Sequence, residues 1–169
     1  MQFGRLGRMT RPPNVVHQDQ VPVTHQAHGD RFELLRRQLG AASGGKKIGT
    51  SLVELPPGKR SWPFHAHTAN EEAIFILEGE GMLRLPSGEI PVRAGHYIAC
   101  PAGPDHAHQM INRSRAPLRY LVLSTMLPLE VSQYPDTQKL GIYTSGPHAA
   151  RRLGYLQETD YWHGEETEP

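Results

Sequence analysis

Six residues in two short stretches carry donor atoms suited to metal coordination. His65 and His67 are separated by one residue, and the adjacent carboxylates Glu71 and Glu72 follow; His106 and His108, again one residue apart, lie further along the chain. On a β-strand, residues two apart point to the same face, so His65 and His67 can hold one ion from one strand. A carboxylate must then return on a neighbouring strand. The intervening Thr68-Ala69-Asn70 is long enough for a tight connection, after which Glu71 or Glu72 opens the next strand. The second stretch adds an imidazole from a distant strand. Three imidazoles and one carboxylate suit one divalent transition ion (Mn, Fe, Co, Ni or Zn), and this mixed N/O set does not choose among them. Such a set leaves coordination positions open, where the ion can bind and polarise water or a substrate oxygen.

The bulk properties agree with a site of this kind and exclude several others. Ten histidines against a single cysteine, Cys100, argue for nitrogen and oxygen donors rather than thiolates, and rule out an internal disulfide framework. The net charge of +1 gives no electrostatic case for nucleic acid or a membrane surface as partner. No apolar stretch approaches the ~20 residues of a membrane span. Arg5, Arg8 and Arg11 near the N-terminus are not followed by an apolar core, so a secretory signal is not expected and the cytoplasm is the default location.

At 169 residues, 37% of them hydrophobic, the chain is long enough for one domain with a core. Clusters of Gly and Pro cut it into segments of strand length: Lys47–Leu55, Glu72–Leu77, Gly81–Leu85, Glu89–Val92, His96–Ala99, Ala107–Asn112 and Leu118–Thr125. Short strands with turn signals at this spacing predict an all-β sandwich or barrel. Phe32–Leu39 has a composition that suits a helix, but its flanking glycines fit a hairpin, and it is read as a strand. Residues 1–28 read as an N-terminal arm draped over a barrel of residues 29–126. Residues 127–169 read as a C-terminal extension packing on the barrel or on a dimer partner, with Asp160-Tyr161-Trp162 in a packing role and the last acidic residues loose.

The two donor stretches resemble the two motifs of the cupin superfamily. The first reads Gly58-x6-His65-x-His67-x4-Glu72-x6-Gly79, one residue longer before the first histidine than the family pattern; the second begins Gly95-x5-Pro101-x-Gly103. The likeness extends over roughly Lys47 to Thr125. Leu55-Pro-Pro-Gly-Lys-Arg60, Asn70-Glu-Glu, Glu78-Gly-Glu-Gly, Tyr134-Pro-Asp and the Asp160-Tyr-Trp ending also recur in a group of bacterial cupins. The resemblance implies a double-stranded β-helix, or jelly-roll barrel, with the metal inside it and a homodimeric assembly. It also implies the ligands. Family spacing selects Glu72 over Glu71, and alternation from Glu72 then turns Ile74 and Ile76 inward. For the last ligand, the spacing P-x-G-x2-H selects His106, whereas H-x3-N selects His108 with Asn112. The local similarity favours His108, leaving His106 at the rim.

The expected ligands are therefore His65, His67, Glu72 and His108, with His106 and Glu71 as candidate proton carriers. His17, His25, His28, His96, His148 and His163 read as surface groups. Trp62 and Phe64 read as packing residues, Lys59 and Arg60 as solvated charges that could meet an anionic substrate, and Cys100 as a small buried filler with no base placed beside it. Two functions follow. One is a metal-dependent enzyme acting on a small polar molecule by isomerisation, decarboxylation or dioxygen attack. The other is a small-ligand, sugar-like binding protein with a structural or vestigial metal. The fold alone does not decide between them.

Overall fold

A computed structural model describes residues 12–146 and 149–165. Thirteen strands run in chain order: β1 (Thr24–His28), β2 (Phe32–Arg37), β3 (Ile48–Leu55), β4 (Ala66–His67), β5 (Glu72–Glu78), β6 (Glu80–Leu85), β7 (Gly88–Arg93), β8 (Tyr97–Cys100), β9 (Gln109–Ile111), β10 (Leu118–Thr125), β11 (Leu129–Tyr134), β12 (Lys139–Thr144) and β13 (Ala150–Gly154). One four-residue helix, Leu39–Ala42, links β2 to β3. The strands assemble into three antiparallel sheets. The orders are β1-β2-β3-β10-β5-β8, β13-β12-β11-β4 and β7-β6-β9. This is the expected all-β, double-stranded β-helix.

Alternation builds the core. On β5, Ile74 and Ile76 are buried while Phe75 and Leu77 are exposed, so Glu72, two residues before Ile74, shares the inward face. β10 lies against β5 with Val122 opposite Ile74 and Tyr120 opposite Ile76. Leu55, Leu83, Met110 and Leu118 close the same apolar cluster. Gly79 turns β5 into β6 at φ +83°, and a Cβ there would lie 2.6 Å from the Pro117 carbonyl oxygen. Only glycine fits both the positive φ and that close approach. Asn112 is fully buried; its amide donates to the Leu55 and Ala116 carbonyls, and its side-chain oxygen accepts from Ser114. The turn between β9 and β10 is thereby fixed without an unpaired polar atom.

Two expectations differ from the structure. Residues 24–28, expected within an arm, form β1 and pair along their whole length with β2. The region after Thr125, where sequence patterning weakens, forms three strands that make up most of the second sheet. Tyr161 and Trp162, expected to pack on the barrel or on a dimer partner, stand 85% and 72% exposed in the single chain and touch each other edge to face. Phe32–Arg37 is a strand as expected, although Leu39 already belongs to the short helix. The start of the arm, with Arg5, Arg8 and Arg11, lies outside the described residues, as do His148 and the final acidic residues.

Candidate metal centre

His65, His67 and Glu72 come together. Each offers one ligand atom, and these atoms all lie within 4.8 Å of one another. The chain achieves this with little regular strand: β4 has two residues, and it is tied down on both sides. His67 lies opposite Ser132 of β11. His65 exchanges backbone hydrogen bonds with His108, donating at 3.3 Å and accepting at 2.9 Å. Glu72 enters from β5, and the Gly103 N–H holds the His67 carbonyl at 2.7 Å.

His108 adjoins the trio. Its Nε2 is 3.3 Å from Glu72 Oε2, and its ring centroid is 5.0 Å from that of His65. The other two candidates stand apart. His106 is exposed on the 3-10 turn Pro104–His106, and it serves the site through its backbone: its carbonyl accepts a 3.1 Å hydrogen bond from His108 Nδ1. Glu71 is exposed, with its backbone N–H bonded to Thr125 Oγ1. His106, Glu71 and His108 are all absent from the lining of the cavity described below, which His65, His67 and Glu72 face directly. For Glu71 and His106 the physical reason is parity: Glu71 precedes the inward Glu72 by one residue, and His106 falls on a turn rather than a strand.

Second contacts set the imidazole tautomers. His65 Nδ1 lies 2.7 Å from the Pro63 carbonyl, His108 Nδ1 3.1 Å from the His106 carbonyl, and His67 Nδ1 3.4 Å from Glu130 Oε1. An Nδ1–H facing an oxygen leaves Nε2 as the lone-pair nitrogen, the arrangement that metal-binding histidines require. The Nε2 of His67 is buried and has no hydrogen-bond partner, although it lies 3.5 Å from Glu72 Oε2. A buried lone pair left unmatched beside a carboxylate and two more imidazoles is what a divalent cation would satisfy, so these residues fit the expected ion.

The electrostatics follow from the crowding. Burial would raise the Glu72 pKa, but the adjacent imidazoles of His108 and His67 outweigh it and hold the carboxyl well below the usual carboxylate range. Burial, together with the charges of His108 and His67, pushes His65 down to about 4. Burial also opposes charge on His108, yet Cys100 and Glu72 beside it prevail and push it up to about 10, so without an ion its Nε2 holds a proton towards Glu72 that a bound cation would displace. Cys100 is buried as expected, but the fold places His108 beside it, which no local motif indicated.

Glu130 was invisible in the sequence and is central here. Only 3% exposed, it accepts the backbone N–H groups of Thr68 (2.9 Å), Ala69 (3.2 Å) and Asn70 (2.6 Å). It therefore binds three of the four residues that connect His67 to Glu72, the fourth, Glu71, being held by Thr125. Asn70 is buried beside it, and its side-chain oxygen accepts from the Leu127 N–H.

The cluster opens on a cavity of about 650 Å³ between the first two sheets. One wall carries Gln26, Arg36, Ser51, Trp62 and Val122; the other carries Ser132, Tyr134, Lys139, Tyr143 and Arg151. Tyr134 stacks on His65 with centroids 6.0 Å apart, and its hydroxyl meets that of Tyr143 at 2.7 Å. Tyr143 leans across Gly141 to reach it, and a Cβ on Gly141 would lie 2.7 Å from the ring. Trp62 packs against the core as expected, and it also donates to Gln26 Oε1 and forms cavity wall. Phe64 is buried and packs beneath the Arg84 guanidinium at 4.1 Å. Lys59 pairs with Glu33 at 3.1 Å and does not line the cavity, and neither does Arg60. His17, His25, His28, His96 and His163 are exposed.

Comparison with known proteins is consistent with this geometry. The cupin domain family matches residues 51–124. An uncharacterized protein of Methanocaldococcus jannaschii is 33% identical over 81 residues, covering 47% of this chain and 62% of that protein; the chain thus matches less than two thirds of that relative's length. Among solved structures, a sugar phosphate isomerase of the cupin superfamily from Silicibacter pomeroyi is similar at 27% identity and a TM-score of 0.75, covering 83% of this chain and 92% of that one. A candidate sugar phosphate isomerase from Acidithiobacillus ferrooxidans is similar at 25% identity and a TM-score of 0.74, covering 86% and 98%. A predicted oxalate decarboxylase from Thermotoga maritima, at 23% identity and a TM-score of 0.57 over 67% of this chain and 99% of that one, shares the fold. Motif order, sheet topology and these matches converge: residues 51–124 form a cupin domain, in a chain that shares the fold of cupin-superfamily structures.

Proposed function

We propose that this protein is a metal-dependent isomerase of a small phosphorylated sugar, working in the cavity between the two large sheets. The observation that carries the reading is the buried, unmatched Nε2 of His67 within a His/Glu cluster that opens directly on a cavity carrying charged and hydroxyl side chains. The names of the two similar structures at 27% and 25% identity support the substrate class.

In this reading His65, His67, Glu72 and His108 hold one divalent transition ion. When bound, that ion supplies Lewis-acid polarisation of a substrate carbonyl or hydroxyl oxygen. The rest is done by the chain. Tyr134 and Tyr143 present paired hydroxyls above His65, and burial pushes the Tyr134 hydroxyl well above the ordinary tyrosine value, so it stays neutral and donates to a sugar oxygen. Ser132 and Ser145 add polar wall, while Val122 and Met126 give the cavity an apolar side. We further read the chain as a cytoplasmic homodimer with no nucleic-acid or membrane partner. Among the described residues no helix is long and apolar enough to cross a membrane.

A specific observation favours a second reading, a sugar-phosphate-binding protein with a resident metal. Apart from the proposed ligands, the one carboxylate lining the cavity is Glu130, and its oxygens are engaged by backbone N–H groups. Two measurements separate the readings. Metal content of protein purified without chelator is compared with that of the His65→Ala/His108→Ala double variant; equal content would refute the metal site. Aldose–ketose phosphate interconversion in deuterated water is then followed by NMR. Conversion by wild type and not by the double variant supports the isomerase; binding without conversion supports the second reading.

A further inference from the structure

Arg36 on β2 faces the cavity without a carboxylate at ion-pair distance among the described residues. Its position is fixed from two sides. Its Nε donates to Ser51 Oγ at 2.8 Å, and Ser51 is itself 4% exposed. Its guanidinium lies 5.6 Å from the Trp62 ring centroid, and Trp62 is held in turn by the 2.8 Å bond from its Nε1 to Gln26. Burial disfavours the Arg36 charge, so this guanidinium is held ready at a cost that a bound anion would offset. Surface arginines of the chain show the contrast: Arg84 grips Asp136 through two 2.7 Å bonds, and Arg113 pairs with Glu89.

The balance of charge in the cavity points the same way. Arg36, Lys139 and Arg151 line it against the two acids Glu72 and Glu130. Glu72 is engaged by His67 and His108, and Glu130 by three N–H groups. Lys139 and Arg151 rest over the rings of Tyr134 and Tyr143, at 5.5 and 5.6 Å, rather than against carboxylates. A divalent ion would add to this positive excess. A dianionic group matches it better than a monoanion, and the planar fork of arginine suits two oxygens of one phosphoryl group.

We infer that Arg36 anchors a phosphoryl-binding subsite in the barrel cavity, with Lys139 and Arg151 supplying the field that draws the dianion in. The inference rests on the sugar-phosphate reading of the same cavity and adds the residues that select the phosphorylated substrate. It is tested on the metal-loaded full-length chain carrying Trp162→Phe, which leaves Trp62, under the guanidinium, as the one tryptophan reporter. Emission is titrated with glucose 6-phosphate, glucose and gluconate. The expected result is a shift with the phosphate ester, weakened about 10- to 100-fold in Arg36→Gln, the span of a lost hydrogen-bonded charge. Arg36→Lys retains the charge without the fork and falls between; it also serves if the glutamine variant does not fold. Phosphate-ester binding that is the same in the parent and the variants overturns the subsite, as does gluconate binding as tightly as glucose 6-phosphate. The two readings fail differently. Arg36-dependent binding without conversion refutes the isomerase and leaves the subsite standing. Conversion that survives in Arg36→Gln at unchanged KM refutes the subsite and leaves the isomerase.

Discussion

Replacing Glu130 by Gln isolates what the second sheet does for the metal centre. The carboxylate accepts three N–H groups: Oε1 takes that of Thr68 at 2.9 Å, and Oε2 takes those of Ala69 at 3.2 Å and Asn70 at 2.6 Å. A glutamine has one acceptor oxygen. Placed where Oε2 stands, it keeps the Ala69 and Asn70 bonds and turns its NH2 towards the Thr68 N–H. The opposite orientation sets NH2 against two donors and is worse. One charge-assisted bond is lost and two become neutral; because the Thr68 N–H also donates to the Val131 carbonyl at 3.0 Å and keeps that partner, the cost should be about 1–3 kcal/mol. A second effect falls on His67, whose Nδ1 is 3.4 Å from Oε1. An amide NH2 there offers a proton to Nδ1 and favours the tautomer protonated at Nε2, removing the lone pair on the cluster side. Loss of such an outer contact weakens metal binding by about 10- to 100-fold. The assay has two parts: urea unfolding of chelator-treated protein for stability, and calorimetric titration of Zn²⁺ and Mn²⁺ against a competing chelator for affinity. Ser132→Ala is the control, because Ser132 Oγ sits at a longer 3.5 Å from His67 Nδ1. A glutamine variant that folds, loses stability, yet binds both ions as wild type does would refute the argument that Glu130 sets the His67 tautomer.

Other consequences can be checked with single variants. His108→Ala should abolish stoichiometric metal by elemental analysis, while His106→Ala retains it, since His106 contributes its carbonyl and not its ring. Gly141→Ala places a methyl 2.7 Å from the Tyr143 ring, so the ring must swing away and the Tyr134 hydroxyl loses its partner; a cost of about 1–3 kcal/mol is expected in denaturant unfolding. Asp136→Asn tests a pH-dependent contribution. The bond to Arg84 holds the Asp136 carboxyl below its ordinary value, so its stabilisation is full above the unfolded carboxylate range and is lost as pH falls through the folded value. The variant should therefore melt lower than wild type at neutral pH, by the about 0.2–1 kcal/mol of an exposed pair, with the difference vanishing in acid.

The first sheet and the His/Glu cluster were legible because their residues obey the usual rule. On β5 the apolar Ile74 and Ile76 point in, and the donors of the first motif sit within eight positions of sequence, His65 to Glu72. The second sheet breaks that rule. On β11, Glu130 and Ser132 are buried while Leu129 is 57% exposed. On β12, Gly141 is buried while Ile142 is 45% exposed. The face turned to the cavity is polar, so the alternation is inverted, and a reading that sends apolar residues inward finds no strand there. Glu130 and the phosphoryl-site candidates Lys139 and Arg151 were missed for this reason. Arg36 was missed for another: its neighbours Arg37 and Gln38 make it look like one solvated charge among several.

The grip of Glu130 on residues 68–70 also orders events during synthesis. The partners are some sixty positions apart, 62 between Thr68 and Glu130. A nascent chain that has emerged only through Thr125 carries all four expected ligands, but the loop joining two of them has no acceptor for its N–H groups. Such distant pairing is slow to form and comes after local hairpins such as β6–β7. The geometry of the cluster is therefore completed only once β11 has left the ribosome and docked beside β4.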